Sequence, residues 1–323
     1  MTPKAVRLFL TTFGLFVLLI KVTYDLSQIS WFYVLLLALP LHWLHARLFV
    51  IMHDCGHDSF TKNSMLNQII GHICGLFFYT PFLMWQQLHN RHHQNQGNLD
   101  RRGRSLDVWI LTKSEYDQSS SIKKILYRMY RNPLILLILS PFVLFIFIFR
   151  IPFENFRTKA LINIFLLDAL LVFIFWLAWK TIGLQKFLLL QLSWMSLSFC
   201  LAAWLFYIQH QFEKTVWFSQ KNYNFEQVAL QGSSYYALPA WLNWVTGDIG
   251  YHHVHHLDVK IPMYNLQKAH QALMQQISLR PFASLTLKES WKTIDLKLWD
   301  ENQQKMIPFK TLPKNTKKII DSN

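Results

Sequence analysis

The 323-residue chain is poor in several residues on which common kinds of site are built. Its three cysteines, Cys55, Cys74 and Cys200, form no CxxC pair and are odd in number, which argues against a disulfide framework and a cysteine zinc site. Its ten glycines contain no GxGxxG, so the chain carries no dinucleotide fingerprint, and no fused haem or flavin segment is recognisable. Acidic residues are outnumbered, 18 against 32 basic, for a formal charge of +14. In a soluble protein that excess would raise nucleic-acid binding. Here the cations lie between apolar segments, as in cytoplasmic loops facing anionic lipid, and no nucleic-acid partner is expected. With 52% hydrophobic and 16% aromatic residues the chain is too apolar for an ordinary soluble domain and reads as an integral membrane protein.

Four stretches have the length and apolarity of transmembrane helices, about 8–24, 31–52, 161–179 and 187–208. The first follows a basic start and has the outline of a signal peptide, but no small-x-small cleavage site follows, so it is read as a retained helix. Two further apolar stretches are broken or short. Ile69 to Trp85 carries His72, two glycines and Pro81, and Pro133 to Phe149 contains Pro141 and is basic at both ends, so both are expected to be interfacial or re-entrant. Lys4 and Arg7, and then Arg91, Arg101, Arg102, Arg104, Lys123, Lys124 and Arg128, place the N-terminus and the middle loop in the cytoplasm. Four spans in two hairpins put the long C-terminal region on that same side. The fold class is therefore an all-α membrane protein of one domain, residues 1–323, with a cytoplasmic cap and a basic tail over about 308–323. A helix from Trp31 to His57 would be about 40 Å long against a hydrocarbon core of about 30 Å, so its last turns should project from the membrane. The fourth span, running through His210 to Glu213, should overshoot likewise.

Metal chemistry, if present, must come from the 14 histidines. Three clusters stand out: His53 with His57, His89 with His92 and His93, and His252 with His253, His255 and His256. The i, i+4 pairs stack on one helical face, and HxxHH puts a first histidine one turn from a neighbouring pair. One such pair is weak evidence of a site. Three clusters assigned to one side of the membrane by a charge argument that ignores them are much stronger. Packed without metal, so many imidazoles would resist protonation and leave ring nitrogens without partners. Eight or nine nitrogens suit two metals with open positions better than one four-coordinate zinc, although imidazole alone does not choose among iron, zinc and copper.

The clusters and their surroundings resemble the membrane fatty-acid desaturase superfamily. The resemblance rests on Arg47 to Phe60, on Gly97-Asn-Leu-Asp-Arg-Arg-Gly103 with Asp107-Val-Trp109, on Gln209-His-Gln-Phe-Glu213, and on His255-His-Leu257 followed by Ile261-Pro-Met-Tyr-Asn-Leu266. It covers roughly residues 40–275 and is closest in pattern to the bacterial acyl-lipid, omega-6 (Δ12-like) branch. It implies a non-haem centre of two iron ions held by His53, His57, His89, His92, His93, His252, His255 and His256, with His210 as a ninth ligand. It also implies O2 as co-substrate, a membrane lipid acyl chain as substrate, and an external electron donor, a ferredoxin or a cytochrome b-type protein. The expected location is a bacterial inner membrane, with the histidine clusters and both termini cytoplasmic.

Some positions are read more cautiously. His253 is expected not to be a ligand, and His42, His45, His72 and His270 are expected to be hydrogen-bonded structural groups. Phe206 stands where acyl-CoA desaturases of the family carry an asparagine, which argues against an acyl-CoA substrate. Asp54, Asp58, Asp100, Asp107 and Glu213 lie near the clusters, and Asp54, Asp100, Asp107 and Glu213 are candidates to hold the second ring nitrogen of a ligand histidine. Asp168, in the middle of the third span, is an intramembrane carboxylate in need of a role. Two other functions fit the histidines less well: a sister hydroxylase or ketolase acting on lipid or carotenoid, and a metal transporter, whose ligands would sit near the bilayer midplane.

Overall fold

The computed structural model describes residues 2–103, 107–152, 158–276 and 282–309. The basic tail expected from Pro308 lies outside them from residue 310 onward. In chain order the helices begin with α1 (Thr2–Ser27), α2 (Trp31–Gly56), α3 (Ser64–Phe77), α4 (Phe82–Asn95), α5 (Lys113–Gln118), α6 (Ser121–Tyr130) and α7 (Ser140–Ile146). They continue with α8 (Thr158–Thr181), α9 (Leu184–His210), α10 (Phe225–Gln231), α11 (Ala240–Val245), α12 (His252–Leu257), α13 (Met263–Gln276) and α14 (Leu287–Lys292).

Among the described residues, α1, α2, α8 and α9 are the four helices long and apolar enough to cross a membrane individually. Each contains one of the expected spans. α1 and α8 expose most of their length, as helices facing lipid do, whereas α2 is largely enclosed. Within that enclosure His42 bonds Ser198 of α9 at 3.1 Å, and His45 bonds the Phe77 carbonyl at 3.1 Å and stacks on Phe78. The turn between α1 and α2 ends at Ser30, whose hydroxyl accepts from the Phe32 amide and caps α2, a contact worth about 1 kcal/mol. The 26 residues of α2 span about 39 Å, more than the hydrocarbon core, with His53 in the last turn and His57 at the C-cap. α9 stops at His210 rather than running on to Glu213, because Gln211 leaves the helical region at φ −113°, ψ 71°.

The two interrupted stretches are both bent. α3 and α4 meet at 102° through a turn in which Tyr79 has φ 53° and Pro81 precedes the first residue of α4. The second stretch passes through a π-helical turn, Ile135–Leu139, into α7 and then a 3-10 turn, Ile148–Arg150, at 57° to α6. By length and composition each bent pair could serve as one broken span or as a re-entrant segment.

Two small sheets were not expected from the sequence. β1 (Leu111–Thr112), β2 (Tyr235–Tyr236), β3 (Ser284–Leu285), β4 (Leu298–Asp300) and β5 (Lys305–Ile307) form a sheet of order β1-β4-β5 and a parallel β2-β3 pair. The first ties the loop after α4 to the C-terminal region, and the second ties the segment after α10 to it. Arg131 is wholly buried beneath them and donates to the Gln211 side chain and the Leu296 carbonyl. The cap is thereby fastened to the residue that follows His210.

Candidate metal centre

The ends of α2 and α9, the C-terminal half of α4 and the short helix α12 bring nine imidazoles together in two groups. His53, His57, His89, His93 and His255 form one, and His92, His210, His252 and His256 form the other; within each group one ring nitrogen per residue lies within 4.8 Å of all the rest. Helical geometry explains the division. Successive residues point about 100° apart while i and i+4 share a face. His53/His57 and His89/His93 therefore enter the first group as pairs, and His252/His256 enter the second. The remaining histidine of each HxxHH cluster, at i+3, goes the other way: His92 to the second group and His255 to the first. The groups adjoin, with the His93 and His256 rings stacked at 4.1 Å.

The donor set fits metal ions. Nε2 of His93 lies 3.1 Å from that of His89 and 3.2 Å from that of His255, and Nε2 of His252 lies 3.0 Å from those of His210 and His256. Imidazole nitrogens each bound to one metal at about 2.1 Å and set at right angles are about 3.0 Å apart. The buried Nε2 atoms of His53, His57 and His92 have no hydrogen-bond partner in the protein, a costly arrangement for nitrogens without another use. Burial foremost, then the charges of His53 and His57, pushes His255 well below an ordinary imidazole. Burial and then His252 and His210 do the same to His256. Neutral imidazoles converging in the dark of the protein are what a metal ion needs.

Three of the outward nitrogens are held by particular partners. Nδ1 of His92 donates to Asp107 at 2.5 Å, Nδ1 of His53 lies 3.2 Å from Asp54, and Nδ1 of His210 donates to the Gly232 carbonyl at 3.0 Å. Asp54 also accepts from the Met263 amide at 2.6 Å, and Tyr264 donates to the Phe60 carbonyl, so the Ile261–Leu266 segment acts by fixing the end of α2. The other two acids are placed differently from the expectation. Asp100 accepts from the Gln220 amide and Glu213 pairs with Lys305. Asp58 accepts from Asn67 in the turn after α2. His253 faces away from both groups, bonds His270 at 3.1 Å and stacks on Phe282. His72 bonds Asn163 of α8.

Some contributors had no readable signal in the sequence. The Gly232 carbonyl is one, and Lys260, which donates to the His57 carbonyl, is another. Gly56 leaves room for Trp85, whose ring would lie 2.7 Å from an added Cβ; Trp85 in turn stacks on His89.

A cavity of about 1000 Å3 opens against both groups, touching His53 and His89 of the first and His252 of the second. Its volume is at the top of the roughly 300–1,000 Å3 range of small-molecule sites. Phe49, Val50, Leu137, Leu144 and Phe145 make one part apolar, and Arg91, Arg101, Gln94 and Asn95 make another polar. Phe206 lines it too, 5.0 Å from the His92 ring, so the four-nitrogen group meets an aromatic ring on the side where a fifth donor could stand. The cavity thus sets apolar and polar walls beside two candidate metal positions.

Comparison with known proteins agrees with that geometry. A sequence model of the family described as fatty acid desaturase matches residues 29–283. A "Fatty acid desaturase" of Bacillus subtilis is 37% identical over 304 residues, covering 94% of this chain and 84% of its own length. An "sn-1 oleoyl-lipid 12-desaturase" of Picosynechococcus is 30% identical over 70% of this chain and 65% of its own. An "sn-1 acyl-lipid omega-3 desaturase (ferredoxin)" of Synechocystis is 30% identical over 76% and 68%. With its four apolar helices and its gathered histidines, the chain belongs to the fatty acid desaturase family of membrane oxidoreductases.

Proposed function

We propose that this chain is an acyl-lipid desaturase, acting at an omega-6 (Δ12-like) position, whose nine histidines hold two iron ions. The observation that carries the reading is the adjacency of two convergent imidazole groups to one amphipathic cavity. The position of the double bond is supported by the sequence motifs and by relatives whose names specify oleoyl-lipid 12-desaturation.

An acyl C–H bond offers no acidic proton and no leaving group, so side-chain acid–base or nucleophilic chemistry does not break it. When bound, a two-iron centre supplies the redox chemistry in which O2, two electrons and two protons take two hydrogens from adjacent carbons, giving a cis double bond and two waters. The chain's own residues do the rest. His53, His57, His89, His93 and His255 would hold one ion, and His92, His210, His252 and His256 the other. Asp54 and Asp107 keep His53 and His92 in the tautomer that presents Nε2 inward. The apolar walls hold the acyl chain extended past the rings, which removes the entropy cost of placing one carbon pair there. Trp85 and Phe206 keep bulk water from the donor atoms. The polar end, with Arg91 and Arg101, suits the headgroup of a membrane lipid. Electrons come from a partner, a ferredoxin or a cytochrome b-type protein, docking on the basic cap by charge complementarity. The inner membrane of a bacterium, with the clusters and both termini in the cytoplasm, is the location this requires.

The test is the fatty-acid profile of a bacterial host that makes saturated and monounsaturated chains, with and without the protein and with His255→Ala. A new diene made only with the intact protein supports the whole reading. A new monoene moves the bond position while keeping desaturation. Hydroxylated lipid, from cells holding folded metal-loaded protein and a working reductant, overturns it.

A further inference from the structure

α8 contributes nothing to the histidine groups and lines no part of the cavity, yet it carries two polar side chains in its apolar interior, Asn163 and Asp168. Both are tethers. Asn163 accepts from the Leu83 amide and contacts His72, fastening the bend between α3 and α4. Asp168 receives Nε of Arg150 at 2.7 Å. Asp168 is ten residues from the start of α8, about 15 Å along a helix crossing a core of about 30 Å, so this ion pair sits near the bilayer midplane. A carboxylate at that depth is costly unless paired, and its presence asks for a reason.

The reason lies in what Arg150 holds. Its Nη1 also donates to the Phe145 and Ile146 carbonyls, at 3.1 and 2.7 Å, closing the end of α7. The stretch from the π-helical turn to the 3-10 turn forms one whole wall of the cavity, through Leu137, Pro141, Leu144, Phe145, Ile148 and Phe149. It is built of short pieces whose middle packs against α9, Phe142 and Phe145 meeting Phe199, while its far end at Arg150 is held from α8. The Arg150–Asp168 pair ties that wall to a spanning helix.

We infer that Asp168, acting through Arg150, is a positioning residue that sets the depth of the acyl cavity and hence the length of chain it accepts. This rests on the reading that the cavity takes an acyl chain. Asp168→Asn leaves Arg150 unpaired in hydrocarbon and draws it toward the interface, taking Ile148 and Phe149 with it. The double variant Arg150→Met/Asp168→Leu removes the tie without stranding a charge, an exchange that is often neutral for stability.

The experiment uses the purified, delipidated full chain in detergent. Binding of phosphatidylglycerols with paired C14, C16 or C18 chains is counted by native mass spectrometry, alongside the thermal midpoint. The intact protein should discriminate between lengths two carbons apart by about tenfold or more, the scale on which fitted apolar pockets reject a misfit. Both variants should flatten that to about twofold, the double variant at an unchanged midpoint, and Asp168→Glu should restore it. Unaltered length preference in the stable double variant, or no preference in the intact protein, overturns the inference. Because binding is read without turnover, a shifted length profile in a protein that makes no unsaturated lipid would uphold the cavity wall while refuting the desaturase.

Discussion

The two histidine groups are alike in burial and unlike in number. One gathers five imidazoles from α2, α4 and α12; the other gathers four from α4, α9 and α12 and faces Phe206. The five-member group hangs on Asp54, which also accepts from the first backbone amide of α13, so its support is part of the fold. The four-member group hangs on Asp107, in the loop after α4, and on a carbonyl of the loop after α10. One half of the centre is thus overdetermined by helices, and the other depends on loops and has a donor fewer. On the proposed reading, the second half should have the weaker hold on metal.

The largest effects should come from removing ligands. His252→Ala leaves three imidazoles in the smaller group and should bring the protein to one metal per chain with no double-bond formation. His255→Ala should also abolish activity but retain more of its second metal, since four imidazoles remain there; metal analysis of the two variants side by side checks this. Next are the carboxylates. Asp107→Asn should weaken metal retention by about 10- to 100-fold, read by chelator competition. Asp54→Asn should do as much and also lower the thermal midpoint, because one amide oxygen cannot accept from both the His53 ring and the Met263 amide.

Acid should act on both groups together. Burial foremost, then His53, Lys260 and His92, pushes His57 well below its ordinary range, as burial and neighbouring charges do to His255 and His256. The unfolded chain binds protons near pH 6.5 while these folded groups stay neutral, so acid favours unfolding. Their contribution is fully present above about pH 6.5 and is lost as pH falls below it. Melting of metal-free protein should therefore be flat from pH 7 to 8 and fall steadily toward pH 5. The smallest effect should come from Phe206→Asn, which offers the smaller group a fifth donor. Its metal should then leave to chelator about threefold more slowly, the scale of one added polar contact, whereas Phe206→Leu should change nothing.

Much of this arrangement was legible in the sequence, for physical reasons. The spans announce themselves by length and apolarity, and the i, i+4 spacing of His53/His57 reports a shared helical face. The allotment of adjacent histidines to different groups also follows from that periodicity, but only once α4 and α12 are known to be helical through the clusters. The roles of Asp100 and Glu213 were not legible, because nearness in sequence says nothing about which way a loop turns. The small sheets were hidden as well. Strands of two or three residues carry no periodicity, and β1 meets β4 across nearly two hundred residues. Asp168 was visible as an anomaly, while its partner Arg150 came from a separate irregular segment.

The most direct measurement is the metal content of the purified intact chain with the Mössbauer spectrum of iron-57-grown protein. Two irons per chain, coupled as a pair and reduced to one in His252→Ala, are what this account predicts. A single metal per chain, or zinc in place of iron in protein that still forms double bonds, would contradict it.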